Sequence, residues 1–280
     1  MNKLILFAAA PLLFMGLAAS CTKGAEADVQ STDEIVLGVG DGTMELDVQT
    51  KATTAISSLP SSLYISMTTG TLGSSEKSKL ASVSKNVSSN CITTGIYQTA
   101  TPTTYNYYVS NKAISYAASG SSIVATNDTD VIAGKVSSDS AAPSVTLEHV
   151  FARTGKLTLN TQTGYTLSGV SWSIASSTGG TAGTYNIATK TWSQLTKLAS
   201  TSITDTSDMY LVPGNYTIKV TYTLAKGDWT KAFTKSASVT LVEGKINNIS
   251  GTASGGSASE ITLSLTLTPW GSNDITATFN

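Results

Sequence analysis

Apolar and polar residues alternate along most of this chain. In the stretch GNYTIKVTYTL, Tyr216, Ile218, Val220, Tyr222 and Leu224 fall on one face, and Asn215, Thr217, Lys219, Thr221 and Thr223 on the other. In EITLSLTLTPW, Ile261, Leu263, Leu265 and Leu267 alternate with Thr262, Ser264, Thr266 and Thr268. A period of two is the mark of a half-buried antiparallel strand. The same signature predicts strands in SLYISMTT, TYNYYVS, AISYAA, SVTLEHVFA, GKLTLN, LSGVSWSIA and SASVTLVEG, and helical periodicity is absent. Short strands parted by Gly, Ser, Asn and Asp predict an all-β chain of antiparallel sandwiches. The polar, small-residue stretch VSSDSAAPSV at 136–145 reads as a linker. Each side of it is long enough for a sandwich of about 100 residues.

The first twenty residues break this pattern. Lys3 precedes an apolar run, Leu4 to Leu17, of signal-peptide length and too short to span a bilayer. Ala18-Ala19-Ser20 and then Cys21 follow. This segment resembles a bacterial lipobox, which implies cleavage of the signal peptide 1–20 and acylation of Cys21. The protein is then exported and tethered to the outer membrane by lipid rather than by a span. With Cys21 acylated, Cys91 in NCITTGIYQ has no intrachain partner and is expected to be a small buried hydrophobe. The tail TKGAEAD resembles the acidic signals that carry lipoproteins of the Bacteroidota to the outer face of the outer membrane.

Composition removes several functions. Charged residues are 12% of the 280 positions, about half the usual share. Ser and Thr supply roughly three residues in ten, far above average usage. The net charge is -1, with Arg153 the single arginine, so no basic patch offers a nucleic acid a footprint. His149 is the single histidine, placed by alternation with Leu147 and Phe151 on an apolar face, and no cluster gives it metal-ligand spacing. The glycine-rich GVGDGT at 38–43 fits neither a dinucleotide fingerprint nor a P-loop. No nucleophile elbow is present, and Asp205 and Asp208 read as turn caps. No catalytic group, metal site or cofactor is expected, and the chain is read as a non-enzyme. Trp172, Trp192, Trp229 and Trp270 are spread along the chain and predict separate core or edge roles. Asp139-Ser140-Ala141 resembles a short O-glycosylation motif, with Ser140 as acceptor.

Three ordered blocks carry a further likeness. The first is DVIAGKVSSDSAAPSVTLEHVFARTGKLTL, with Asp130, Ala133, Val145, Leu147, His149, Ala152 and Arg153; LVPGNYTIKVTYTL and VEGKINNISGTA…ITLSLTLTPWGSNDITATFN are the second and third. In these blocks, and in its lipobox and leader, the chain resembles the fimbrillin family, the fimbrial subunits of Bacteroidota. The resemblance implies two tandem transthyretin-like β-sandwich domains, here 52–142 and 143–280, after a leader of residues 21–51. It implies a surface lipoprotein from which a protease removes the leader with the first strand, so that a neighbouring subunit donates a strand into the groove. Its partners would be other fimbrial subunits, alike or different, the outer membrane through the lipid, and surface ligands in adhesion. The resident strand would be EIVLGVG, with Ile35, Leu37 and Val39, or MELDV, with Met44, Leu46 and Val48. The family is commonly cut after a basic residue. No arginine precedes Arg153, so the expected cut is trypsin-like, between Lys51 and Ala52. Ile275, Ala277 and Phe279 alternate at the C-terminus as a candidate donor strand or an ordinary last strand. The alternative to a fimbrial subunit is a surface glycan-binding lipoprotein of a nutrient-uptake system, which clustered, exposed tryptophans and tyrosines would favour.

Overall fold

The computed structural model describes residues 34–41, 59–70, 77–88, 91–97, 103–117, 120–140, 142–204, 209–253, 261–269 and 275–278. The described chain is all-β, with mostly antiparallel sheets.

The N-terminal lobe is built on seven strands: β1 (Glu34–Asp41), β2 (Ser62–Thr69), β3 (Lys77–Asn86), β4 (Cys91–Tyr97), β5 (Tyr105–Ser110), β8 (Ile132–Ser138) and β9 (Ser144–His149), in the order β3-β2-β5-β8-β9-β1-β4. Leu63, Ile65 and Met67 of β2 alternate into its core, with Ile92, Tyr107, Val109, Val145 and Leu147. Every residue of β5, YNYYVS, is buried. Tyr105, Tyr107 and Val109 face this core, while Tyr108 faces a second cluster on the other side. A strand buried on both faces need not alternate, and in β5 Tyr107, Tyr108 and Val109 follow one another without a polar break.

The C-terminal lobe packs two sheets face to face. One runs β13 (Tyr210–Leu211), β10 (Ala152–Thr161), β16 (Lys245–Ala253), β17 (Ile261–Pro269), β18 (Ile275–Thr278). The other runs β15 (Trp229–Leu241), β14 (Gly214–Lys226), β11 (Thr166–Asn186), then β7 (Gly120–Thr126) and β6 (Ile114–Ala117), with β12 (Thr191–Ile203) on the remaining edge of β11. The alternation read in β14 is realised: Tyr216, Ile218, Val220, Tyr222 and Leu224 are all buried. Fully burying an aliphatic or aromatic side chain contributes roughly 1.5–3 kcal/mol, so this one strand supplies a large share of the lobe's stability. The Tyr216 hydroxyl donates to the Val212 carbonyl at 2.6 Å and accepts from the Gly180 N–H at 2.9 Å. It ties β14 to the chain a few residues upstream, as tyrosine corners do in other sandwiches. Gly179 lies against its ring, where a Cβ would come within 2.4 Å of the hydroxyl oxygen.

The sheets do not divide at Ala142. Residues 136–145 are not a linker: they comprise the end of β8, a turn, and the start of β9 in the same sheet, with Ile132 opposite His149 and Ala133 opposite Glu148. The chain leaves the N-terminal sheet only at Val150, and the β6–β7 hairpin from the N-terminal half joins the second lobe through Ser122–Thr126 and Ala182–Asn186. A core of its own fills the junction, formed by Tyr108, Ile123, Val131, Phe151, Tyr185 and Val212 with neighbours, so the lobes are packed together rather than strung on a tether.

Candidate functional site

The candidate site is the place of β1 in the N-terminal sheet. Its second half pairs in parallel with β9, Gly38 opposite Ser144 through Asp41 opposite Leu147. Its first half pairs antiparallel with β4, Glu34 opposite Tyr97 through Gly38 opposite Cys91, with a bulge between Glu34 and Val36. Leu37 stands opposite Ile92 and Val39 opposite Val145, and both partners are fully buried core residues. β1 thus runs beside the strands that carry the buried residues Ile92 and Val145. β1 straddles its neighbours: β4 uses its first half and β9 its second.

Of the two stretches read as resident strands, EIVLGVG forms β1, whereas Met44, Leu46 and Val48 lie outside the described residues. Lys51 and Ala52 also lie outside them, within the connection 42–61 that joins β1 to β2, so a cut there separates β1 covalently from the rest of its sheet. Cys21 is outside the described residues too. Cys91, at the head of β4, is half of a disulfide rather than the expected free thiol.

Among the described residues the C-terminal strand β18 pairs with β17 alone, Ile275 opposite Leu267 and Ala277 opposite Leu265, at the edge of its sheet. Phe279 lies outside the described residues. Ser140 is exposed in the β8–β9 turn, where its hydroxyl accepts from the Ala142 N–H at 3.0 Å.

The chemistry-bearing residues play structural parts. His149 is buried, and its Nδ1 lies 2.8 Å from a carboxylate oxygen of Asp130. The motif residues Asp130, Ala133, Leu147 and His149 thus meet on the β8–β9 hairpin. At the junction, the Tyr185 hydroxyl donates to the Glu243 carboxylate at 2.8 Å. Burial pushes the Glu243 carboxyl above its usual range, against the opposing pull of the Tyr185 hydrogen bond and Lys190. Burial likewise raises the Tyr185 phenol, and the Glu243 charge adds to it. Lys190 pairs with Glu148, and Lys135 donates to the Ala188 carbonyl, both linking β8–β9 to the β11–β12 turn. Among the described residues, no group of three His, Cys, Asp or Glu is placed to hold a metal ion.

The tryptophans divide. Trp172 is buried in the C-terminal core, Trp192 packs on Phe151 and Tyr185 at the junction, and Trp270 is outside the described residues. Trp229 is half-exposed beside Tyr165. Sequence spacing hides that meeting, because Tyr165 comes from the connection between β10 and β11, which lie in different sheets, and Trp229 from the β14–β15 hairpin; the one local signal is the Gly227-Asp228 turn before the indole.

No family model matches the chain, and no curated protein does. Solved structures resemble it in fold. One is a "putative cell adhesion protein" from Bacteroides uniformis, 17% identical over 86% of this chain and 100% of that one, with a TM-score of 0.49. Another of the same description, from Parabacteroides distasonis, is 9% identical over 86% and 98%, with a TM-score of 0.47. A third, from Bacteroides eggerthii, is 14% identical over 85% and 96%, at 0.45. At scores this low the likeness says nothing about what the chain does.

Proposed function

We propose that the protein is a surface-fibre subunit of the fimbrillin type, serving adhesion, exported and anchored to the outer membrane through acylated Cys21. Cleavage after Lys51 removes β1, and a strand from another subunit takes its place. The position of β1 carries this reading. It is an interior strand contributed by chain that precedes the expected cut. Its departure would leave β9 and β4 with unpaired backbone above Val145, Leu147 and Ile92. Such a groove is filled by strand addition, in which main-chain hydrogen bonds give affinity and alternate side chains give specificity. β1 pairs with β9 from Ser144 to Leu147, so an incoming strand that runs on along β9 to His149 gains hydrogen bonds that β1 does not make. The donated strand is the C-terminal segment with Ile275, Ala277 and Phe279, of which Ile275–Thr278 pairs with β17. Ser140 at its exposed turn is a site for O-glycosylation.

The test is intact-mass measurement and N-terminal sequencing of the protein from sheared surface fibres and from outer membranes. Fibre material beginning at Ala52 is expected, together with a membrane form acylated at Cys21. An acylated form beginning at Cys21, never found in fibres, would overturn the assembly reading and leave a glycan-binding lipoprotein as the better account.

A further inference from the structure

At the end of the C-terminal sandwich away from the lobe junction, four aromatic rings run in contact from core to solvent. Tyr222, 1% exposed, stacks on Phe233, 8% exposed, with centroids 5.3 Å apart and planes 19° from parallel. Phe233 meets Trp229 at 6.3 Å, and Trp229, 42% exposed, meets Tyr165 edge-on at 6.2 Å and 81°. The two-residue Gly227-Asp228 turn, with Gly227 at φ 59°, presents the indole at the tip of the β14–β15 hairpin. A turn at Gln162–Tyr165, closed by the Tyr165 N–H on the Gln162 carbonyl at 3.1 Å, brings the phenol beside it.

Two lysines surround this column. The Lys226 ammonium lies 5.0 Å from the Tyr165 ring centre, and that of Lys231 lies 5.4 Å from the Phe233 ring centre. Among the described residues neither ammonium has a carboxylate partner. Asp228 is the single acid of the hairpin tip, so the local balance is positive in a chain of net charge -1.

An indole backed by three packed rings is held in place before any ligand arrives, so binding to it costs little conformational entropy. Its exposed flat face suits another flat, partly apolar surface, such as the C–H face of a pyranose ring. An ammonium held over a ring by cation–π attraction keeps N–H donors for an anion, and charged hydrogen bonds are the stronger kind. A second copy docking pole to pole would bring like charges together, which disfavours that occupant.

We propose that this pole binds an acidic saccharide, with a sugar ring on Trp229 and Tyr165 and its carboxylate or sulfate taken by Lys226 and Lys231. This site rests on the geometry of the pole and stands whether or not the protein assembles by strand exchange.

The test titrates the mature chain with tetragalacturonate, a chondroitin sulfate tetrasaccharide and neutral maltotetraose, followed by tryptophan fluorescence and calorimetry. At least one acidic oligosaccharide is expected to bind about tenfold or more tightly than maltotetraose. Trp229→Ala is expected to weaken that binding about tenfold or more, as loss of a central aromatic anchor does, and Trp229→Phe to restore part of it. The double variant Lys226→Ala, Lys231→Ala is expected to bind acidic and neutral sugars alike. Thermal melting of each variant confirms that it is folded. Equal binding of acidic and neutral sugars by the unaltered chain, undiminished binding by Trp229→Ala, or no binding of any of the three would overturn the proposal. None of these outcomes bears on whether fibre material begins at Ala52, so the two readings fail separately.

Discussion

The β14–β15 hairpin and the β1 insertion solve the same problem, satisfying a strand's backbone, in opposite ways. Gly214 to Lys226 pair with Leu241 to Trp229 in thirteen successive steps without a register shift. The two strands are joined by a two-residue turn, so each finds its partner locally. β1 instead pairs with strands that lie far along the chain, shifts register after Glu34, and shares its length between two neighbours. One lobe therefore holds a strand pair that is complete within itself. The other depends on a strand whose loss leaves the remaining chain intact but unfinished.

Removing β1 should have the largest effect. Its backbone pairing with both β4 and β9 is lost, which bares an edge on each of the strands that carry the buried Ile92 and Val145. A chain beginning at Ala52 is expected to lose amide-exchange protection across β4 and β9 while β14 and β15 keep theirs. Added peptide spanning Asp274–Asn280, or Glu34–Asp41, should restore it. Loss of protection in both lobes together would show that the lobes unfold as one unit and that the asymmetry is wrong.

A subtler probe adds one methyl group to each lobe. A Cβ on Gly134 of β8 would stand 2.0 Å from the Thr146 carbonyl oxygen, and one on Gly180 of β11 would stand 1.9 Å from that of Thr196. In both places backbone must move, and overpacking of this kind costs typically about 1–3 kcal/mol. The consequences should differ. Gly134→Ala pushes on β9, the strand that carries β1, so it should lower the melting temperature and also make the leader accessible to trypsin. Gly180→Ala displaces β12, while β11 keeps β14, so it should lower the melting temperature without exposing the leader. Equal trypsin sensitivity in the two variants would remove the special status of the β8–β9–β1 seam.

What the sequence reveals follows the same division. Alternation exposed β14 because it has one wet and one dry face. The family resemblance marked EIVLGVG as a strand, but pairing with β9 and β4 depends on residues about 50 to 100 positions away, which no local pattern encodes. The polar stretch at 136–145 reads as a linker because a short turn and two strand ends have the composition of one; the pairing of Ile132 with His149 decides otherwise. The β6–β7 hairpin gives no sign in its own residues that it will extend the sheet of the other lobe. Trp229 and Tyr165 read as unrelated aromatics, since their meeting is a product of two turns at the same end of a sandwich. Asp130 and His149 belong to one recognisable block, yet their contact makes that block an element of the hairpin's packing.

The smallest effect is expected between the two regions, at Glu243. Burial raises its carboxyl above the ordinary range, so the folded protein holds that proton more tightly than the unfolded chain does. Stability from this group is fully present below the unfolded value and is lost as pH rises through the raised folded value. The informative quantity is the difference between a variant without this carboxyl and the unaltered protein. Glu243→Gln keeps an acceptor for the Tyr185 hydroxyl and removes the titration. The variant and the unaltered protein should melt alike near about pH 4, where an ordinary carboxyl is largely protonated, and the variant should melt at the higher temperature near neutrality. A difference of the opposite sign would mean that the carboxylate's contacts with Tyr185 and Lys190 outweigh its burial, and that the junction is held by charge rather than by the packing of Tyr108, Phe151 and Tyr185.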